Sequence, residues 1–217
     1  MKAPRHADLL GEIDAAALEQ GYTLVAGVDE VGVGAMAGPV VAAAVILPND
    51  RRPKLAADSK TLTPERRNEA FEEIRGLAVA WAIGVVDPEI VDRLNIYHAT
   101  HLAMRQALLG LRPSAEFALV DGRTVQGLPV PHRAVPGGDA LSPSIGAASI
   151  VAKVLRDRIM DRLDLLHPGY GLSGHKGYCT PDHRAAVVAL GPSPIHRRSF
   201  EPVGGRGALR LPLSEEA

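Results

Sequence analysis

The stretch TLVAGVDEVGVGAMAGPVVAAAVIL, Thr23 to Leu47, decides how the rest of the chain is read. An apolar run ends on two adjacent acids, Asp29 and Glu30, and a turn containing Gly32, Gly34 and Gly38 follows at once. Neighbouring carboxylates repel each other, and a strand end beside a core is a poor place for them. The arrangement becomes favourable when a divalent cation sits between them, because hard cations such as Mg²⁺ take oxygen ligands. The glycines remove side chains where another backbone could come close. Acids for a metal beside bare backbone for a phosphate chain suggest chemistry on a nucleic acid.

The turn is not a dinucleotide fingerprint. It has one residue too many before its third glycine, and a strand rather than a helix follows through Pro39. Outward from it, Tyr22–Val28 and Pro39–Leu47 read as buried strands, Leu77–Val86 as a third, Glu116–Val120 as a fourth and Arg133–Val135 as a short edge strand. Thr63 caps a helix with Pro64 at its first position. Asp87-Pro88-Glu89 opens a long helix with the stripe Ile90, Leu94, Tyr97, His101, Met104 and Leu108. Ser142-Pro143 starts another, with Ile145, Ala148, Ala152, Leu155, Ile159 and Leu163 on one face. A glycine-rich loop runs from His167 to Cys179, and Thr180-Pro181 caps the last clear helix, which stops at Gly191-Pro192. This is an α/β pattern with a mixed sheet. Residues 1–20 read as a partly flexible extension, 21–202 as one domain with helices in its C-terminal part, and 203–217 as a disordered tail.

At 217 residues the chain fits one large domain, with a core of Val, Ala, Leu and Ile because aromatics make up only 4%. The single cysteine, Cys179, excludes an intramolecular disulfide and a cysteine-rich zinc site. No apolar run is long enough to span a bilayer, and MKAPRHADLL has no secretory core, so a cytoplasmic protein with no membrane partner is expected. Net charge is −1, but eight Lys and Arg against four acids lie between Lys153 and Arg198. That excess reads either as a solvated helix face or as a local surface for phosphates.

Four acids occupy special places. Asp29 and Asp121 each follow an apolar strand, Glu30 adjoins the first, and Asp139 sits behind Gly137-Gly138 just before a helix. Three segments can therefore bring carboxylates to one sheet end. A two-metal site needs oxygen ligands on rigid elements holding two ions about 4 Å apart, one ion lowering the pKa of an attacking water and the other stabilising the leaving oxygen.

The motifs VAGVDEVGVGAMAGPVVAAAVIL, ADSKTLTPERR, LVDGR, SIGAASIVAKVLRD, YGLSGHKGYCTPDH and HRRSF together resemble, in order, those of bacterial ribonuclease HII, of the type 2 ribonuclease H family. The resemblance spans about Val25 to Phe200. It implies a ribonuclease H-like fold, a mixed β-sheet flanked by helices. It implies an endoribonuclease that cleaves RNA in RNA–DNA hybrids and nicks 5′ to ribonucleotides embedded in duplex DNA, leaving 5′-phosphate and 3′-hydroxyl ends with the help of two Mg²⁺ or Mn²⁺ ions. By position, Asp29, Glu30, Asp121 and Asp139 match the metal-binding carboxylates. Tyr178 matches the tyrosine that stacks on the sugar at the ribonucleotide–deoxyribonucleotide junction, and Lys60 a lysine on the backbone phosphate. Gly32, Val33 and Gly34 match the junction-reading turn, and Ser149 and Lys153 the helix bordering the substrate groove. A monomer is expected; contact with a replication clamp is left open.

Val33 departs from the family, which usually has arginine there on a phosphate beside the scissile bond. Gly137 likewise stands where many relatives carry lysine. A charge-assisted hydrogen bond is worth about 1.5–3 kcal/mol, roughly tenfold to a hundredfold in binding. One alternative is thus a family member that binds hybrids with weakened or absent cleavage. The other is a different nuclease of the same fold, integrase-like or of the ribonuclease HIII branch.

Overall fold

The computed structural model describes residues 11–53 and 62–204. Its strands are β1 (Val25–Val31), β2 (Val40–Ile46), β3 (Ala80–Val86), β4 (Phe117–Asp121) and β5 (His132–Val135), lying side by side in the order β3-β2-β1-β4-β5. The helices are α1 (Glu12–Glu19), α2 (Pro64–Leu77), α3 (Pro88–Gly110), α4 (Gly138–Leu141), α5 (Pro143–Leu166), α6 (Leu172–His175) and α7 (Pro181–Leu190). β1 is antiparallel to β2 and parallel to β4, which is parallel to β5. The expected mixed sheet flanked by helices is therefore present. Among the described residues no helix is long and apolar enough to cross a membrane.

The described residues group into two compact units. The first takes in 11–31, 41–53, 62–85 and 100–154. Every residue of β2 is buried, as are the first five of β1, which explains their unbroken Val and Ala runs. One cluster of this unit joins Val25, Phe117, Leu119, Val135 and Ile145, with Tyr22 stacked on Phe117 at 4.6 Å between ring centroids. Gly27 carries the closest approach: a Cβ there would lie 2.0 Å from the backbone carbon of Ser144, so the start of α5 rests directly on β1.

The second unit takes in 32–40, 86–99 and 155–204. Its core joins Met36, Ala37, Met160, Tyr170, Leu172 and Val187. The segment near Ile195 pairs with the glycine turn: Gly38 N–H donates to the Ile195 carbonyl at 2.9 Å, and Arg197 N–H to that of Met36 at 2.9 Å.

Several elements differ from the sequence pattern. Strand β1 continues through Asp29 and Glu30 to Val31, because antiparallel pairing with β2 carries the ladder on to Val31 opposite Val41. Residues 12–19, within the extension read as partly flexible, form α1, with Ala15 and Ala17 buried and Ile13 and Leu18 packed beside Val25 and Phe117. Asp14 secures this helix by accepting the Ser144 N–H at 3.2 Å. The stripe expected on α3 fails in its first part, where Leu94 and Tyr97 are exposed. The cause is Asn95, at φ 66°, which interrupts the helix and accepts the His98 N–H at 3.2 Å. Before the break Val91 is buried; after it Met104 and Leu108 of the expected stripe are buried, together with Ala99, Ala103 and Ala107. The loop from His167 to Cys179 contains the short α6.

Candidate active site

Parallel pairing of β1 and β4 sets up the acids. The last paired residues are Val28 and Val120, and one step further each strand carries an aspartate, Asp29 and Asp121. β4 ends at Asp121, so the next residue of β1, Glu30, has no β4 neighbour and reaches the same space. Asp121 also organises the α4 segment, since its Oδ1 accepts the Gly138 N–H at 2.6 Å. Gly137, at φ 66°, turns the chain so that Gly138 and Asp139 open α4. Asp139 is buried.

These four carboxylates line one cavity of about 370 Å³, joined by Arg67 of α2 and by Ser149 and Lys153 of α5. Ser149 and Lys153 are one helical turn apart and so share a face. Six of the residues expected to act together are thus together in the first unit. The electrostatics are unfavourable for the bare acids. Burial first, then the charges of Glu30 and Asp121, push the Asp29 carboxyl up to about 8, against a hydrogen bond from Ser149 that favours ionisation. Glu30 is raised as well, by burial and by Asp121. Among the described residues no three acid, histidine or cysteine side chains are already posed as a metal shell. The acids line a cavity rather than a closed cage.

The glycine turn belongs to the second unit. Gly32, at φ 86°, faces Arg156, whose Nε would lie 2.2 Å from a Cβ at that position. Arg156 and Arg197 are fully buried, and their hydrogen bonds go to main-chain carbonyls. Arg156 donates to Pro39, Ala37 and Lys176, and Arg197 to Gly38 and Val33. The expected cationic surface is smaller for it: two of the eight cations between Lys153 and Arg198 are unavailable to any surface. Val33 is 36% exposed, and Gly34 has open space beside it. Tyr178, also 36% exposed, is held near the turn, because the Gly177 carbonyl accepts the N–H groups of Met36 and Ala37 at 2.9 and 3.2 Å. The Arg156 guanidinium lies 5.4 Å from the Tyr178 ring centroid. Lys60 falls outside the described residues.

Sequence reasoning passed over five residues. Arg67 lies one helical turn beyond the Thr63 cap, in ADSKTLTPERR, and its position in the cavity depends on how α2 packs. Arg156 and Arg197 looked like surface cations because the carbonyls that satisfy them exist only once the turn is folded. His183 and His196 are buried against each other, Nε2 to Nε2 at 3.0 Å, although they are 13 residues apart in sequence.

A family model described as Ribonuclease HII matches residues 26–203. The chain is 54% identical over 195 residues to the ribonuclease HII of Myxococcus xanthus, covering 89% of this chain and 66% of that one. It is 50% identical over 192 residues to the ribonuclease HII of Geobacter sulfurreducens, covering 88% of each. Among solved structures, ribonuclease H2 from Pyrococcus horikoshii superposes with a TM-score of 0.72 at 28% identity, over 82% of this chain and 94% of that one. The RNase HII of Archaeoglobus fulgidus, solved in complex with PCNA, gives a TM-score of 0.70 at 27% identity, over 83% and 95%. This chain belongs to the ribonuclease HII family, endonucleases of the ribonuclease H type.

Proposed function

We propose that this chain cleaves the RNA strand of RNA–DNA hybrids and nicks 5′ to single ribonucleotides embedded in duplex DNA, leaving 5′-phosphate and 3′-hydroxyl ends. The observation that carries this reading is the delivery of Asp29, Glu30, Asp121 and Asp139 into one cavity from three chain segments. Such a cluster is stable in its ionised form only with positive charge among its oxygens.

The donor set fits a divalent cation, Mg²⁺ or Mn²⁺, because every acidic donor is a carboxylate and such hard ions prefer oxygen. The lack of a closed shell fits as well, since Mg²⁺ at phosphoryl-transfer sites is held by a few carboxylates together with substrate oxygens and water. Asp29, Glu30, Asp121 and Asp139 would hold the ions, two in the reacting complex. Bound there, they would make water a stronger nucleophile at neutral pH and neutralise charge building on the phosphate.

The chain's own residues supply position. Ser149 steadies Asp29 in its ionised form, and the Gly138 N–H fixes the position of Asp121 by donating to its Oδ1. Lys153 and Arg67 bring cationic side chains to the cavity for the phosphate oxygens. Gly32, Val33 and Gly34 present backbone to the 2′-hydroxyl that separates RNA from DNA. Tyr178 stacks on the sugar at the junction, and Lys60 takes a flanking phosphate. The second reading, hybrid binding with weakened cleavage, has in its favour the exposed apolar side chain of Val33. We place the enzyme in the cytoplasm as a monomer, acting on chromosomal substrates. The PCNA complex of the Archaeoglobus relative makes a sliding clamp a partner to test.

The deciding experiment incubates the protein with duplex DNA containing one ribonucleotide, with Mg²⁺, with Mn²⁺ and with chelator, and maps the nick. A metal-dependent cut on the 5′ side is expected. Tight binding without any cut would favour the second reading, and neither binding nor cutting would end both.

A further inference from the structure

The buried pair His183 and His196 has no part in the chemistry of the acids, yet its hydrogen bonds lead from Ser193 to the Tyr178 carbonyl. His196 lies on the strand-like segment bridged to Ala37. Its Nδ1 is 3.1 Å from the Ser193 N–H and 2.9 Å from the Ser193 hydroxyl. A backbone N–H can only donate, so Nδ1 accepts, and the ring proton of neutral His196 is on Nε2. That proton faces Nε2 of His183 at 3.0 Å. The other nitrogen of His183, Nδ1, is 2.9 Å from the main-chain carbonyl of Tyr178. A carbonyl can only accept, so His183 donates from Nδ1 and presents a bare Nε2 to His196. Only one arrangement of protons satisfies every bond, and a further proton on either ring would break one.

The surroundings reinforce this single state. His175 stacks on His183 at 4.0 Å between centroids, accepts the Gly177 N–H on Nδ1 at 3.2 Å, and so donates from Nε2 to the Tyr170 carbonyl at 2.8 Å. His183 is itself fixed on the first turn of α7, where its N–H donates to the Thr180 hydroxyl at 3.2 Å. Burial holds both His183 and His196 down to about 4, so the rings are neutral at working pH.

We propose that the chain from Ser193 through His196 and His183 to the Tyr178 carbonyl is a positioning device. It locks the backbone of Tyr178 to the segment that also pairs with the glycine turn, so that the two junction-reading elements move as one. His183 and His196 are then positioning residues for recognition of an embedded ribonucleotide. The inference rests on the junction role proposed for Tyr178.

The side-chain amide of asparagine reproduces the Nδ1 donor of histidine, and that of glutamine reproduces the Nε2 position. His183→Asn therefore keeps the bond to Tyr178, and His183→Gln keeps only the bond to His196. With the full chain and Mg²⁺ or Mn²⁺, His183→Gln should lower kcat/KM on a single embedded ribonucleotide by about tenfold, the scale of one buried hydrogen bond. The loss on a long RNA–DNA hybrid should be smaller, and His183→Asn should recover most of the difference. Tyr178→Ala combined with His183→Gln should lose no more than Tyr178→Ala alone. Equal losses for Asn and Gln, or full additivity, would overturn the proposal. Nitrogen-15 NMR of the unmutated protein provides a check that does not depend on variants folding. His183 should carry its proton on Nδ1 and His196 on Nε2, and the reverse tautomers would overturn the assignment. A harmful Tyr178→Ala with a harmless His183→Gln would sink the positioning device alone. An inert Tyr178→Ala would remove the junction reading and this inference together.

Discussion

The backbone N–H of Gly138 donates to Oδ1 of Asp121 at 2.6 Å, so one acid fixes the start of the helix that carries the next, Asp139. Asp121 thus has one job that the geometry shows, building the α4 segment, and a second that the proposed function gives it, supplying charge to the reaction. Asp121→Asn keeps an oxygen for Gly138 and removes only the charge. Cleavage should fall by about a hundredfold or more, the scale of losing one preorganised charge-stabilising group. Gel-shift binding to the hybrid should stay within a few-fold. A variant that still cuts would sink the ligand assignment.

Asp29 makes metal-free stability depend on pH. Its carboxyl titrates near 8 in the folded chain against an ordinary 3.8. Between those values the folded state holds a proton that the unfolded state has released, so this group's effect is to lower stability as pH rises from about 4 to about 8. A bound cation displaces that proton, so Mg²⁺ should raise the melting temperature more at pH 8 than at pH 6. Asp29→Asn should flatten the metal-free slope. Melting curves of both proteins, with and without Mg²⁺, check this; an equal gain at the two pH values would refute it.

Tyr178→Ala should cost more at a single embedded ribonucleotide than on a long hybrid, where many junction-free positions can be cut. A loss of about tenfold is expected on the first substrate, which corresponds to about 1.4 kcal/mol of lost contact with the junction sugar. Parallel kcat/KM measurements decide it, and equal losses would count against a junction role.

Val33→Arg should tighten substrate binding about tenfold at low salt, because the side chain is partly exposed while its carbonyl is held by Arg197 from below. One added phosphate contact should steepen the dependence of log K on log salt by about 0.9. Binding isotherms across a salt series test this, and indifference would mean that the phosphate already has a partner.

Much of the fold and of the acid cluster was legible in the chain. Unbroken Val and Ala runs marked β1 and β2, Thr63-Pro64 and Thr180-Pro181 marked helix starts, and Asp29 and Asp121 stood out as acids at strand ends. What stayed hidden needed tertiary context. The stripe on α3 assumed an unbroken helix, while Asn95 acts as an internal cap. Helix α1 buries alanines, which signal weakly in a hydrophobic pattern. That β1 and β4 lie parallel with their aspartates level is a matter of strand order, which no local pattern encodes. The buried state of Arg156, Arg197, His183 and His196 depends on partners distant in sequence.

Gly27 gives the fold an unexpected gauge. It touches no substrate and carries no functional group, yet its missing methyl lets the start of α5 seat on β1. Ser149 and Lys153 ride on that helix, one and two turns further along. Adding a methyl at residue 27 would lift the helix at its base and carry both side chains away from Asp29. The width of the acid-lined cavity thus depends on a single hydrogen atom at a residue outside its lining, and a lesion there would disturb the acid cluster without altering any residue that faces the cavity.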